Sequence, residues 1–163
     1  MLDNIKYILA SVTIVAAIFL GINLYKSYQF DTQELPLELQ QKLYQKKFEL
    51  IRLVKQNYGV DLDIPIIISN ELPRRYYGLA RSGVNGDIKI FLNKDAFRDS
   101  SEYMIDDVLP HEYAHALMFY LGDYNKAHGG HTDKWRQACK KLQGKMCNRY
   151  VDKDEVIREK MFR

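Results

Sequence analysis

From Tyr7 to Tyr25 the chain runs nineteen residues, YILASVTIVAAIFLGINLY, without a charge. As a helix this stretch reaches about 28 Å, close to the hydrocarbon thickness of a bilayer. Tyr7 and Tyr25 then fall at the two interfaces, with Lys6 and Lys26 among the headgroups. The run is too long and too uninterrupted for an ordinary core helix. A cleaved signal peptide is the rival reading. The near-absence of a basic n-region, and of a small-x-small site after the run, favours an uncleaved anchor. The sequence therefore predicts a single-pass membrane protein: residues 1–26 a transmembrane signal-anchor, 27–35 a polar linker, 36–163 the working domain. Lys26, Lys42, Lys46 and Lys47 follow the span against Lys6 before it, which leans towards a cytoplasmic domain. Cys139 and Cys147, read as unpaired helix-packing thiols, fit the same reducing side.

Composition limits what that domain can be. Hydrophobic residues are 47% of the 163 and charged residues 28%, which excludes wholesale disorder. A net charge of +3 is too mild to predict binding to nucleic acid or to a membrane surface. Two cysteines exclude both a multi-disulfide scaffold and a four-thiolate zinc site.

The apolar pattern predicts a helix from Pro36 to Gly59, with Leu39, Leu43, Phe48, Ile51, Leu53 and Val54 at helical spacing. IPIIIS, residues 64–69, reads as a buried strand. Asn85-Gly86 predicts a type I′ hairpin turn between strands at about Tyr77–Ser82 and Asp87–Asn93. Glu102 to Leu121 is helical in pattern apart from Pro110, and residues 133–145 form a further helix. Helix, strand, hairpin, helix, helix is the order of a small α+β domain.

His111-Glu112-Tyr113-Ala114-His115 carries the chemistry. Residues i and i+4 share one helical face, so both imidazoles can reach one Zn²⁺. Glu112 stands beside that position, where it can act as a general base towards water. The helix is amphipathic, with small Ala114 and Ala116 permitting close approach, which favours a metal over two surface histidines. A catalytic zinc usually takes a third protein ligand. Met118 and Leu121 stand where a metzincin needs Gly and His, so that class is excluded. Glu155 and Glu159 lie in a charged tail. His128 and His131, in the glycine-bearing segment AHGGHTDKW, are the remaining donors.

HEYAHAL followed by GGHTDKW resembles the SprT-like zinc metalloproteases, which include the Spartan DNA–protein crosslink proteases. The strand GDIKIFLN is similar to theirs as well. The resemblance covers roughly residues 36–150. It implies a small zincin-like metalloprotease domain, zinc as cofactor, and His111, His115 and His131 as ligands, with Trp135 on the family's aromatic position. Thr132 replaces the family's usual glycine, which leaves His128-Gly129 as a competing register. The family's C-terminal zinc ribbon is missing.

The implied activity is a membrane-anchored zinc endopeptidase acting on protein substrates with Glu112 as general base. Two alternatives remain: a zinc-dependent cell-wall peptidoglycan hydrolase, and a non-catalytic module that zinc merely staples. The strand at 87–93 is expected along the cleft, where an exposed edge would take substrate as an extra strand, against the plainer reading that both its edges are covered. DNA is a possible partner through Lys134, Arg136, Lys140, Lys141, Lys145 and Arg149, against the plainer reading of a solvated helix face. Oligomeric state, orientation and the identity of the substrate are not legible.

Overall fold

The computed structural model describes residues 2–73, 75–124, 127–145 and 147–148, with backbone only at 2, 3, 127 and 128. The chain divides into two units after Pro36. The first is α1, Leu2–Thr32, a helix long and apolar enough to cross a membrane. None of its apolar stretch is buried against protein. Its polar side chains turn inward on the backbone: the hydroxyls of Ser11 and Thr13 donate to the carbonyls of Tyr7 and Leu9, both at 2.9 Å. That satisfies them without water, as a hydrocarbon environment demands. Residues 27–32, expected as linker, continue the helix, with the Thr32 hydroxyl bonded to the Tyr28 carbonyl. Only residues 33–36 are irregular between it and the next helix.

The second unit begins with α2, Leu37–Tyr58, directly after Pro36 and ending where Gly59 takes a φ of +72°. Its buried stripe is Leu43, Leu50, Leu53 and Val54. Phe48, expected on that face, is 69% exposed. The stripe follows steps of seven and four from Leu43, and Phe48 lies well off it at 100° per residue.

Strands β1 (Ile66–Ser69), β2 (Gly78–Ser82) and β3 (Ile88–Asn93) form one sheet in the order β1-β3-β2. β1 runs parallel to β3, and β2 antiparallel to it. The hairpin forms where Asn85-Gly86 predicts it, but the turn type differs. The Gly86 N–H donates to Gly83 O and the Gly83 N–H to Asp87 O. Gly86 alone of the turn residues after Gly83 has positive φ, at +82°. This is a three-residue connection closed by a left-handed glycine, whereas a type I′ turn needs positive φ at both central residues.

Beyond β3, short α3 (Lys94–Asp99) leads into one nearly continuous helix: α4 (Ser101–Tyr103), a π-helical turn at Met104–Val108, and α5 (Leu109–Tyr120). The π turn has a local cause. Pro110 has no N–H, and its ring would strike the carbonyl four residues back in a regular helix. Upstream the Leu109 N–H reaches five residues back to Met104 O, widening the helix just ahead of the proline. A helix predicted over 102–121 apart from Pro110 is thus a helix with its interruption absorbed. α6, Asp133–Lys141, closes the domain and is shorter than the 133–145 predicted.

The result is an α+β domain of helices around a small three-stranded sheet, preceded by an apolar helix. Ile90, Leu92, Leu50, Leu109, Tyr113, Leu117 and Trp135 are among its largest fully enclosed side chains, drawn from strand and helix alike. Each buried aliphatic contributes about 1.5–3 kcal/mol relative to exposure. Tyr113 also ties α5 to the segment before β1, its hydroxyl donating to the Leu62 carbonyl. Tyr113→Phe leaves that buried carbonyl without its donor. We expect a loss of about 1–3 kcal/mol in urea unfolding, with metal content unchanged.

Candidate metal centre

One turn of α5 separates His111 from His115, and the structure brings His131 to both. The Nε2 atom of His131 lies 3.2 Å from that of His115 and 3.1 Å from that of His111. Among the described residues these three offer donor atoms all within 4.8 Å of one another. The His128 side chain, Arg149, Glu155 and Glu159 lie outside the described part of the chain.

Two glycines place His131. After α5 the chain turns through residues 127–130, where Gly129 and Gly130 have φ of +65° and +85°. A Cβ on Gly130 would lie 3.0 Å from a Tyr124 ring carbon and 3.4 Å from two atoms of the His115 imidazole. The loop therefore lies flat against the ring it must complete. Thr132, in place of the family's usual glycine, works as the N-cap of α6: its side chain accepts the Trp135 N–H. That fixes the first turn of the helix on which Trp135 sits.

Trp135 is fully buried and packs against all three imidazoles, with centroids 4.7 Å from His111, 4.9 Å from His115 and 4.4 Å from His131. It stacks on His115 and meets the other two edgewise. Among the described residues its indole N–H finds no hydrogen-bond partner, and ring packing holds it in place. Burial, and then the neighbouring His111 and His131, lower the His115 pKa to about 2. The ring is thus kept neutral, the form that binds a metal.

Glu112 is 8% exposed and turns to the sheet. Its Oε2 accepts the Ala80 N–H of β2 at 2.8 Å. Burial raises its pKa to about 7, opposed by that backbone N–H. The approach of strand to helix is close because residue 78 is glycine. A Cβ there would lie 2.7 Å from Glu112 Cγ and 2.9 Å from Val108 Cγ1.

The expected placement of the strands needs correction. β3 is the central strand, with β1 and β2 on its two sides, so it offers no free edge. The Gly83 N–H bonds to Asp87 O, and the Asn93 N–H to Tyr77 O. By alternation Gly78, Ala80 and Ser82 turn their backbone groups to the outer side of β2. The Ala80 bond to Glu112 shows that this side meets α5.

The three imidazole nitrogens fit a metal. Zinc–nitrogen bonds of about 2.0–2.1 Å at tetrahedral angles put ligand nitrogens about 3.3 Å apart, near the distances seen. Three imidazole donors at this separation suit a divalent transition metal, zinc among them. With the site's geometry in view, the family's sequence profile matches residues 24–155. The chain belongs to the SprT-like family. No curated protein and no solved structure matches it. The SprT-like match covers most of the chain and is consistent with a metalloprotease-like domain in which three histidines can hold a metal ion.

Other expectations from sequence fare differently. Lys134 pairs with Asp123, Arg136 with Asp133, and Lys141 lies over the Tyr58 ring at 5.0 Å. The basic run is therefore partly engaged within the domain. Cys139 and Cys147, expected as separate thiols, are joined in a disulfide. Their spacing of eight allows the bridge because the chain reverses at the end of α6, which no sequence periodicity announces. Reasoning from sequence also missed the Ala80 N–H, a main-chain group with no residue signature. A lone glycine opening a strand was the available sign of close approach at Gly78.

His131→Ala removes one of three donors. Zinc should fall from about one per chain to near zero, read by elemental analysis of the purified full chain, with helical content retained.

Proposed function

We propose that this protein is a zinc-dependent endopeptidase of zincin-like architecture, anchored by α1, with His111, His115 and His131 as ligands and Glu112 as general base. The observation that carries this reading is the position of Glu112. It follows His111 directly on α5, is buried, and is steered by a strand backbone at Ala80, an arrangement that a purely stapling metal site does not use.

Zinc, when bound, supplies Lewis acidity towards a peptide carbonyl and towards water. The chain's residues do the rest. The three imidazoles, backed by Trp135, hold the ion's position. Pairing with a strand edge makes little demand on a peptide's side chains, and on β2 it is left to the outer side beyond Ala80, whose N–H Glu112 holds. The Glu112 carboxylate takes a proton from the attacking water and hands it to the departing amine nitrogen. Burial lifts the Glu112 pKa above the usual carboxylate range, which favours the group's holding the proton between its two transfers. Gly78 keeps the carboxylate in reach by leaving room for its methylene groups.

Glu112→Gln should abolish cleavage of an unfolded protein such as casein while zinc content stays at the wild-type level. Equal cleavage by both proteins overturns the proposal and leaves a metal-stapled module. Gly78→Ala should keep zinc but slow cleavage by about 100-fold, because a displacement near 1 Å of a reacting group costs that much.

A further inference from the structure

The Cys139–Cys147 bridge lies at the far end of the helix that backs the metal centre. Cys139 is four residues after Trp135 on α6, on the same helical face, and both are fully buried. Cys147 is 6% exposed, so the bridge is enclosed by the domain. The chain is built around it. α6 ends at Leu142, Gln143 adopts a left-handed φ of 61°, and the Gly144 N–H folds back to the Cys139 carbonyl at 3.0 Å. A Cβ on Gly144 would sit 2.7 Å from the Cys139 sulfur and 3.4 Å from the Cys147 sulfur. Glycine is what leaves space for both sulfurs.

We infer that Cys139–Cys147 is a structural disulfide that sets this domain, and the proteins it cleaves, on the oxidising face of the membrane. The substrate half of this statement rests on the endopeptidase reading above. Enclosed disulfides persist in oxidising compartments and are rare where glutathione and thioredoxin keep thiols reduced. The lysines that lean the other way carry less weight once the fold is known. Lys42, Lys46 and Lys47 belong to α2 of the folded domain, paired with Glu38, with Glu49 and Asp106, and with Asp63. Folded domains translocate largely regardless of charge. Beside the span itself the count is Lys6 against Lys26, which is even.

Formation of the bridge needs a donor disulfide from a thiol–disulfide exchange protein. One cysteine thiolate attacks a donor sulfur to form a mixed disulfide, and the second attacks the first cysteine's sulfur in it, expelling the donor thiolate. The donor leaves as a dithiol, having taken two electrons and two protons. The closed bridge then fixes the end of α6 whose beginning carries Trp135 against the ligands.

The test uses the full chain in intact cells. Free thiols are blocked with membrane-permeant N-ethylmaleimide, and the protein is then denatured, reduced and labelled with a mass-adding maleimide. A protease is added outside parallel cells stripped to the plasma membrane. We expect both cysteines to take the mass label only after reduction, and the domain to be digested from outside. Cysteines already blocked before reduction, or a domain protected until the membrane is permeabilised, overturn the inference. Zinc titration of the purified chain completes the test. The Cys139→Ser/Cys147→Ser variant should bind zinc about 10–100-fold more weakly, as when support behind metal ligands is lost. Unchanged affinity in that variant removes the bridge from the support of the centre. Wild type with its bridge intact and no zinc would instead sink the metal reading alone.

Discussion

Three imidazoles whose nitrogens close to 3.1 Å between His131 and His111 and 3.2 Å between His131 and His115 do not associate for their own sake. Each pair can share at most one proton, and burial penalises any charge that would relieve the crowding. The domain therefore has to hold them together until a cation does so. Trp135 on one side, Gly130 on another and the rigid one-turn spacing of α5 supply that constraint. Much of the remaining architecture can be traced to it. α6 exists where it does to deliver the indole, and the left-handed glycines exist to deliver His131.

A second constraint acts across the gap between α5 and β2. Gly78 removes the side chain that would hold strand from helix, and the Ala80 N–H meets Glu112 in the space so gained. The π turn belongs to the same problem. By absorbing Pro110 it lets the helix run on through His111 and His115 without a break. A kink at the proline would have turned Glu112 away from the sheet. Position along one helix and distance to one strand thus fix where the Glu112 carboxylate lies.

How much of this was legible beforehand depends on the range of the interaction. Helix-local features could be read: the i, i+4 histidines, the helix around Pro110, and the glycine stop after α2. His131 was reached by its offset from Trp135, although the reason for that offset, an indole against three imidazoles, is tertiary. Sheet order was not legible, because the alternation in β3 specifies two faces and is silent about which edge is covered. The hairpin dipeptide located the turn but not its type, which the third residue, Gly86, decided. Phe48 had the right spacing to its nearest neighbours and the wrong phase to the whole stripe. The linker failed for another reason: polar composition after a span can be solvated helix as easily as coil.

The disulfide is where a wrong reading of local sequence has the largest consequence. Two cysteines eight residues apart, one of them in a helix, look unable to meet, and that appearance supported a reducing compartment. The helix is capped at Leu142, three residues after Cys139, and the left-handed Gln143 with Gly144 brings Cys147 back alongside it. The same reversal that closes the bridge fastens α6 at the end opposite its Thr132 cap. A helix of nine residues has little stability of its own. Capped at one end and bridged at the other, it can hold an indole still enough to order three ligands. Compartment and chemistry are then linked through one short helix: where the bridge cannot form, the support behind the histidines loosens.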